Sequence, residues 1–271
     1  MLGPDAARYL LAGRGEQVAR PFHLRWLLPA VCGDDEQLWR LVWLLSWPLV
    51  AAGAATWAVG MGASWQQALA AAGLLVGLPG VLGPKSVRTV GVDLPSLAIG
   101  LAAAAAFANE LVWLGLILVL WSAAAKETMP VWVALWCWSP LPLVGLVAVA
   151  VAALVRRPAL DVVTARPDLR RVHDHPVQTA REHRAGRWRD AWLWLAPWQL
   201  TLAALVPPSP QVLVTLAVAH LQCLVATDHV RLVQLAAGPV MALAAVQHIP
   251  QSWLLLTVLV NFFFWWNPET V

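Results

Sequence analysis

Lysine is nearly missing from this chain, with Lys85 and Lys126 its two examples in 271 residues, and tyrosine occurs once, as Tyr9. Charge of either sign is scarce: Asp, Glu, Lys and Arg together make 12% of the residues, where soluble domains carry roughly a quarter. With 60% apolar residues and a mean hydropathy of +0.66, that shortage excludes an ordinary soluble domain and predicts an integral membrane protein. Cys32, Cys137 and Cys223 are too scattered for a disulfide framework or a metal site, and no metal ligand set is read from them. Period-two alternation is absent from the apolar runs, which excludes an outer-membrane barrel and makes the expected class all-α, a polytopic helical membrane protein. There is no Gly-rich phosphate loop and no dinucleotide fingerprint. The first residues lack the apolar core of a secretory signal, so no cleaved leader is expected.

What is present is a succession of apolar runs, at about 39–60, 66–82, 95–108, 111–125, 130–155, 191–206, 211–226, 232–246 and 252–266. They predict about 8–9 membrane segments, since a lone crossing needs roughly 20 residues and tilted or re-entrant pairs need fewer. The chain reads as an amphipathic membrane-surface loop at 1–38, a first helix bundle at 39–155, an Arg-rich polar loop at 156–190 and a second helix group at 191–271. Many of the 18 tryptophans stand near run ends and read as an interfacial belt. Asn109-Glu110 is either the apex of a helical hairpin or an interruption of one long helix over 95–125. Nine arginines between Arg156 and Arg189 predict a cytoplasmic loop. If 95–125 is a hairpin, the opening segment, Lys85, Asp93 and Lys126 then fall together on the outer face. A pI near 9.1 suits anionic lipids as partners and gives no support to nucleic-acid binding. Arg in place of Lys, with heavy Ala and Trp use, suits a GC-rich bacterial or phage genome and an inner, cytoplasmic membrane.

Ionisable groups in or beside membrane spans are expensive, so each is a functional candidate. They gather in four places. The opening segment has Asp5, Tyr9 and Arg25 with the acids Asp34, Asp35 and Glu36; "GPKSVRTVGVD" has Lys85, Arg88 and Asp93; "AKET" has Lys126 and Glu127; and "ATDHVR" has Asp228, His229 and Arg231. Carboxylates beside cations at a dry interface suit glycosyl or phosphoryl transfer, one acid accepting a hydroxyl proton while Arg or Lys neutralises a phosphate.

"D…Y…A.G" followed by "PFHLRWLLP", a span, "VDLPSLAIGLAAA" and "GLILVLWSAAAKET" resembles the membrane glycosyltransferases of the GT-C superfamily over roughly the first half of the chain. After residue 130, only "DHVRLVQLAAGPVMALAA" adds to the likeness. The resemblance implies an enzyme that moves a sugar from a polyprenyl-phosphate donor to a lipid, glycan or protein hydroxyl, outside the cytoplasmic leaflet. Asp5 would be its catalytic acid, with Tyr9, Arg25 and Pro29 framing the first loop. Lys85, Arg88, Asp93, Lys126 and Glu127 would be the substrate-binding positions. The reaction class leaves room for a divalent metal ion as cofactor. Members of the superfamily carry a transmembrane helix ahead of the loop acid, whereas Asp5 is the fifth residue here. That helix is expected from a membrane partner or upstream of Met1, unless the form is pared down.

Structural roles compete for the same residues. Asp5 and Asp93 are placed to cap helices, Asp34-Asp35-Glu36 to start one, and Lys126-Glu127 to pair with each other or to snorkel. His173, Asp174, His175 and His183 fit a solvated loop better than a metal site, and His220 and His248 read as structural. The rival function is a non-enzymatic membrane subunit, a transporter, flippase-like protein or scaffold, whose buried charges pair across helices.

Overall fold

The computed structural model describes residues 5–18, 22–78, 90–156, 178, 209–222, 229–248 and 250–264. All regular structure among them is helical, with no strand. Two compact units form, each discontinuous in sequence: Met1–Gly53 with Val87–Arg170, and Ala54–Ser86 with Arg171–Val271.

In the first unit, α1 (Ala6–Gly13), a 3-10 turn (Phe22–Leu24) and α2 (Leu27–Cys32) form a cap. Its core joins Ala6, Tyr9, Phe22, Leu28 and Cys32 to Trp39, Val90, Val92 and Ala125. The opening segment therefore folds onto helix ends, with Tyr9 and Phe22 packed inside the protein. Gly13 in α1 backs onto the backbone of Gly33, so closely that a Cβ would meet the Gly33 carbonyl. Gly33 itself has φ +57, a left-handed value that glycine takes at little cost.

Helix α3 (Glu36–Gly60) begins where the acid triplet predicts. The Oδ1 of Asp35 accepts the backbone N–H groups of Gln37 and Leu38, at 2.8 and 3.3 Å, and so satisfies two of the amides a helix start leaves open. At 25 residues, about 37 Å, α3 is the one helix among the described residues long and apolar enough to cross a bilayer.

The 95–125 question resolves as two helices in a hairpin, α5 (Asp93–Ala108) and α6 (Val112–Ala125). Asn109 donates its side-chain amide to the Ala105 carbonyl, and Glu110 takes φ +63, a turn no helix could continue through. Small residues let the pair close up: Gly115 sits against the Phe107 ring, and Ala103 to Ala106 face inward.

The 130–155 run departs from its expected form as one segment. Helix α7 (Met129–Cys137) stops at Trp138, which has φ +49; Pro140 and Pro142 follow, and a 3-10 turn (Leu141–Val144) leads into α8 (Gly145–Val155). Gly145 lies against both Val119 of α6 and Pro130 at the start of α7, and α8 folds back along α6. Its end, Arg156, reaches the Trp26 ring at 5.3 Å, while Arg25 binds Glu127 just before α7. Both ends of 127–156 therefore lie beside the opening segment. Arg156 thus lies at the face that bears Asp93 and Lys126, not at the opposite one expected of a single crossing.

In the second unit, α4 (Trp65–Val76) starts with a capping box in which Ser64 and Gln67 serve each other's backbone. The Gln67 side chain also donates to the Val246 carbonyl at 2.9 Å. This fixes α10 (His229–His248), whose inner face is Ala- and Val-rich, beside α4. Helix α9 (Pro210–Leu221) packs on α10, and Gln222 donates to the Leu232 carbonyl. Helix α11 (Gln251–Phe264) brings Val258 against Gly73 of α4. His220 bonds the Leu216 carbonyl at 2.7 Å, the structural role expected of it, and His248 is exposed at the end of α10.

Candidate active site

Six of the eight site residues expected from the sequence lie in one region, where the cap meets the ends of α5 and α6; Lys85 and Arg88 lie outside the described residues. The hairpin brings the first residue of α5 to the last turn of α6, and Lys126 Nζ donates to Asp93 Oδ1 at 2.6 Å. An anion at a helix start and a cation at a helix end are each favoured by the helix dipole, so this pair suits both termini. Val92 stands at the N-cap position of α5 and Asp93 opens its first turn, with the Asp93 carboxylate accepting from Lys126.

Beside this pair, Arg25 makes a two-pronged bond to Glu127, Nε to Oε2 at 2.8 Å and Nη2 to Oε1 at 2.7 Å. Its Nη1 donates to the Tyr9 hydroxyl at 3.0 Å. Lys126 and Glu127 thus neither pair with each other nor snorkel, since each is claimed by a different partner across the fold. Burial alone would raise the Glu127 carboxyl, but the hydrogen bonds and charge of Arg25 outweigh it and hold the group below the usual glutamate range. Tyr9, 3% exposed, has its phenol pushed up to about 12, chiefly by burial. Arg25 works against that rise, and the charges of Asp93 and Asp5 add to it. Both carboxylates therefore act on one phenol, which ties Asp5 to the cluster electrostatically.

Asp5 stands at the N-cap position of α1 without capping it through its side chain. Its Oδ1 accepts from Arg8 Nη1 at 3.0 Å, an i, i+3 pair on one helix face. With 34% of its side chain exposed, Asp5 is the most open carboxylate of the group. Arg8 and Phe22 were not expected at the site. The Phe22 ring carries Arg8 on it at 4.9 Å and Arg25 at 5.5 Å, with Tyr9 edge-on at 5.2 Å. The signal for Arg8 was its three-residue spacing from Asp5, which places the two on the same helical face. Trp39, assigned by position to an interfacial belt, is buried; it stacks obliquely on Tyr9 and donates its indole N–H to the Gly33 carbonyl at 3.1 Å.

Among the described residues, no three His, Cys, Asp or Glu side chains gather where a metal ion could sit. Asp93 and Glu127 are each bound to a cation. His173, Asp174, His175, His183 and Asp228 lie outside the described residues. No protein-family model, curated protein or solved structure matches the chain.

Proposed function

We propose that this chain is a polytopic helical membrane protein and a glycosyltransferase of GT-C type, taking its sugar from a polyprenyl-phosphate donor. The membrane reading is supported by an inverted distribution of side chains in the first unit. Inward positions hold Ala103–Ala106 and Ala123–Ala125, while Trp113, 80% exposed, Ile117, Trp121, Val147 and Leu154 point outward. A water-soluble bundle would bury its large apolar residues and expose polar ones, whereas lipid rewards the reverse.

The enzymatic reading is carried by one observation: Asp5, Tyr9, Arg25, Asp93, Lys126 and Glu127, distant in sequence, gather where a surface-lying cap meets helix ends. In the proposed reaction an acceptor hydroxyl oxygen forms a bond to the anomeric carbon as the bond from that carbon to the phosphate oxygen breaks. Asp5 takes the hydroxyl proton, and polyprenyl phosphate leaves with the bonding electron pair, its charge met by a neighbouring cation. Sugar transfer to an acceptor by the purified protein, given labelled polyprenyl-phosphate sugars, tests this. Asp5→Asn should lower transfer by about 100-fold or more with expression unchanged; full activity in that variant removes Asp5 as the base.

A second reading, the non-enzymatic membrane subunit, is favoured by the closure of both Arg25–Glu127 and Asp93–Lys126 as ion pairs across elements. It expects no transfer from any lipid-linked donor. It also expects function to survive Asp5→Asn while failing in Asp93→Asn, which strands the Lys126 charge.

A further inference from the structure

The two guanidinium groups on Phe22 differ in what they have left to give. A guanidinium has five N–H donors, and the edge formed by Nε and Nη2 is the one that grips a carboxylate or phosphate with two parallel bonds. Arg25 has spent that edge on Glu127 and a third donor on Tyr9, and the carboxylate in front of it would repel a second anion. Arg8 is turned the other way. It gives Nη1 to Asp5, rests its face on Phe22, and among the described residues its Nε and Nη2 meet no acceptor. At 19% side-chain exposure it is held down by the protein yet still reachable. Lys126, 9% exposed and committed to Asp93 at 2.6 Å, is the poorer candidate.

We propose that Arg8 is the residue that grips the phosphate of the lipid-linked substrate through its free Nε/Nη2 edge, and that Arg25 is a positioning residue that anchors the cap. This rests on the reading of the site as one for a polyprenyl-phosphate donor. Its added content is a division of labour that the sequence did not assign. A phosphate on that edge lies one side chain away from Asp5, so the leaving group and the proton acceptor are set by the same arginine. The Phe22 ring, in contact with both guanidinium groups, offsets part of their mutual repulsion before the anion arrives.

The test measures binding directly. Full-length protein in nanodiscs is titrated with polyprenyl phosphate carrying no sugar, with inorganic phosphate and phosphatidylglycerol as competitors. Arg8→Gln should weaken binding of polyprenyl phosphate at least 10-fold, and Arg8→Lys, which keeps the charge but loses the fork, should fall between. Arg25→Gln should lower thermal stability while leaving affinity within about 3-fold, since its donors never reach the ligand. Asp5→Asn should retain or improve binding while losing transfer, because it removes a repelling carboxylate. If Arg8→Gln loses turnover with affinity unchanged, Arg8 only holds Asp5 and the assignment is overturned. Equal competition by phosphatidylglycerol would make the site one for bulk headgroups and overturn it too, as would a wild-type protein that binds none of the three. Binding that is sensitive to Arg8 in a protein that transfers no sugar would instead uphold the assignment and remove the glycosyltransferase reading.

Discussion

At the scale of single residues, the informative feature is how the buried polar groups of the site share their partners. Arg25 serves two partners at once, and Tyr9, although buried against Phe22 and Trp39, keeps its hydroxyl on that arginine. Because Tyr9 is the single tyrosine of the chain, its ionisation can be followed without interference. The phenol ordinarily titrates near 10.0 and is pushed up to about 12 here by burial. The folded protein therefore keeps a proton that the unfolded chain releases. Stability is fully present below pH 10.0, falls as pH rises above it, and levels off beyond about 12. Phenolate absorbance against pH should give a midpoint near the upper value, and the thermal midpoint should start to drop about two pH units earlier. A phenolate midpoint at 10 would mean that the cap does not cover Tyr9. The candidate site was legible at this scale as residue types: acids and cations beside apolar runs are costly, and cost marks them. Their pairing was not legible, because Asp93 finds Lys126 only once a hairpin has formed between them, and adjacency had suggested Lys126 with Glu127.

At the scale of elements, local chemistry was readable where its cause is local. Asp35 starts α3 because its side chain reaches amides two and three residues on. The failures share one physical cause. Hydropathy reports how apolar a stretch is, but not where it turns, so 130–155 read as one segment although Trp138 and the prolines after it reverse the chain. Trp39 failed similarly: position near a run end predicts an interface, but a cap that folds over the helix end buries it. The cap's own seat is a glycine contact. An added methyl at Gly13 would meet the Gly33 carbonyl, which is backbone and cannot rotate away. Gly13→Ala should therefore lift α1 from the turn before α3 and cost about 1–3 kcal/mol, as overpacking does elsewhere. It should lower the thermal midpoint and speed protease cleavage within residues 5–33. An unchanged midpoint would show that α1 and the Gly33 turn are not in contact.

At the scale of the whole molecule, the decisive contacts are those of two neighbouring residues. Arg25 reaches Glu127 and Trp26 reaches Arg156, so the stretch between them starts and ends at the same face of its unit. Residues 157–190 contain no apolar run long enough to cross a bilayer, so in a membrane their arginines remain on the side where Arg156 emerges. Read from charge and hydropathy alone, that loop had been set opposite the opening segment. The two arrangements give opposite results in one experiment. With the native cysteines replaced, single cysteines are placed at Arg14, which is exposed, and at Arg156, and a membrane-impermeant maleimide is added to sealed vesicles of each orientation. The fold-back of α8 requires both to label in the same vesicles, and a cysteine at Glu110, exposed at the far apex of the α5–α6 hairpin, to stay unlabelled there. Labelling of 14 and 156 from opposite sides would restore a single crossing over 129–155. It would also break the Trp26–Arg156 contact and separate the Arg-rich loop from the face that carries Asp5, Arg8 and Lys126.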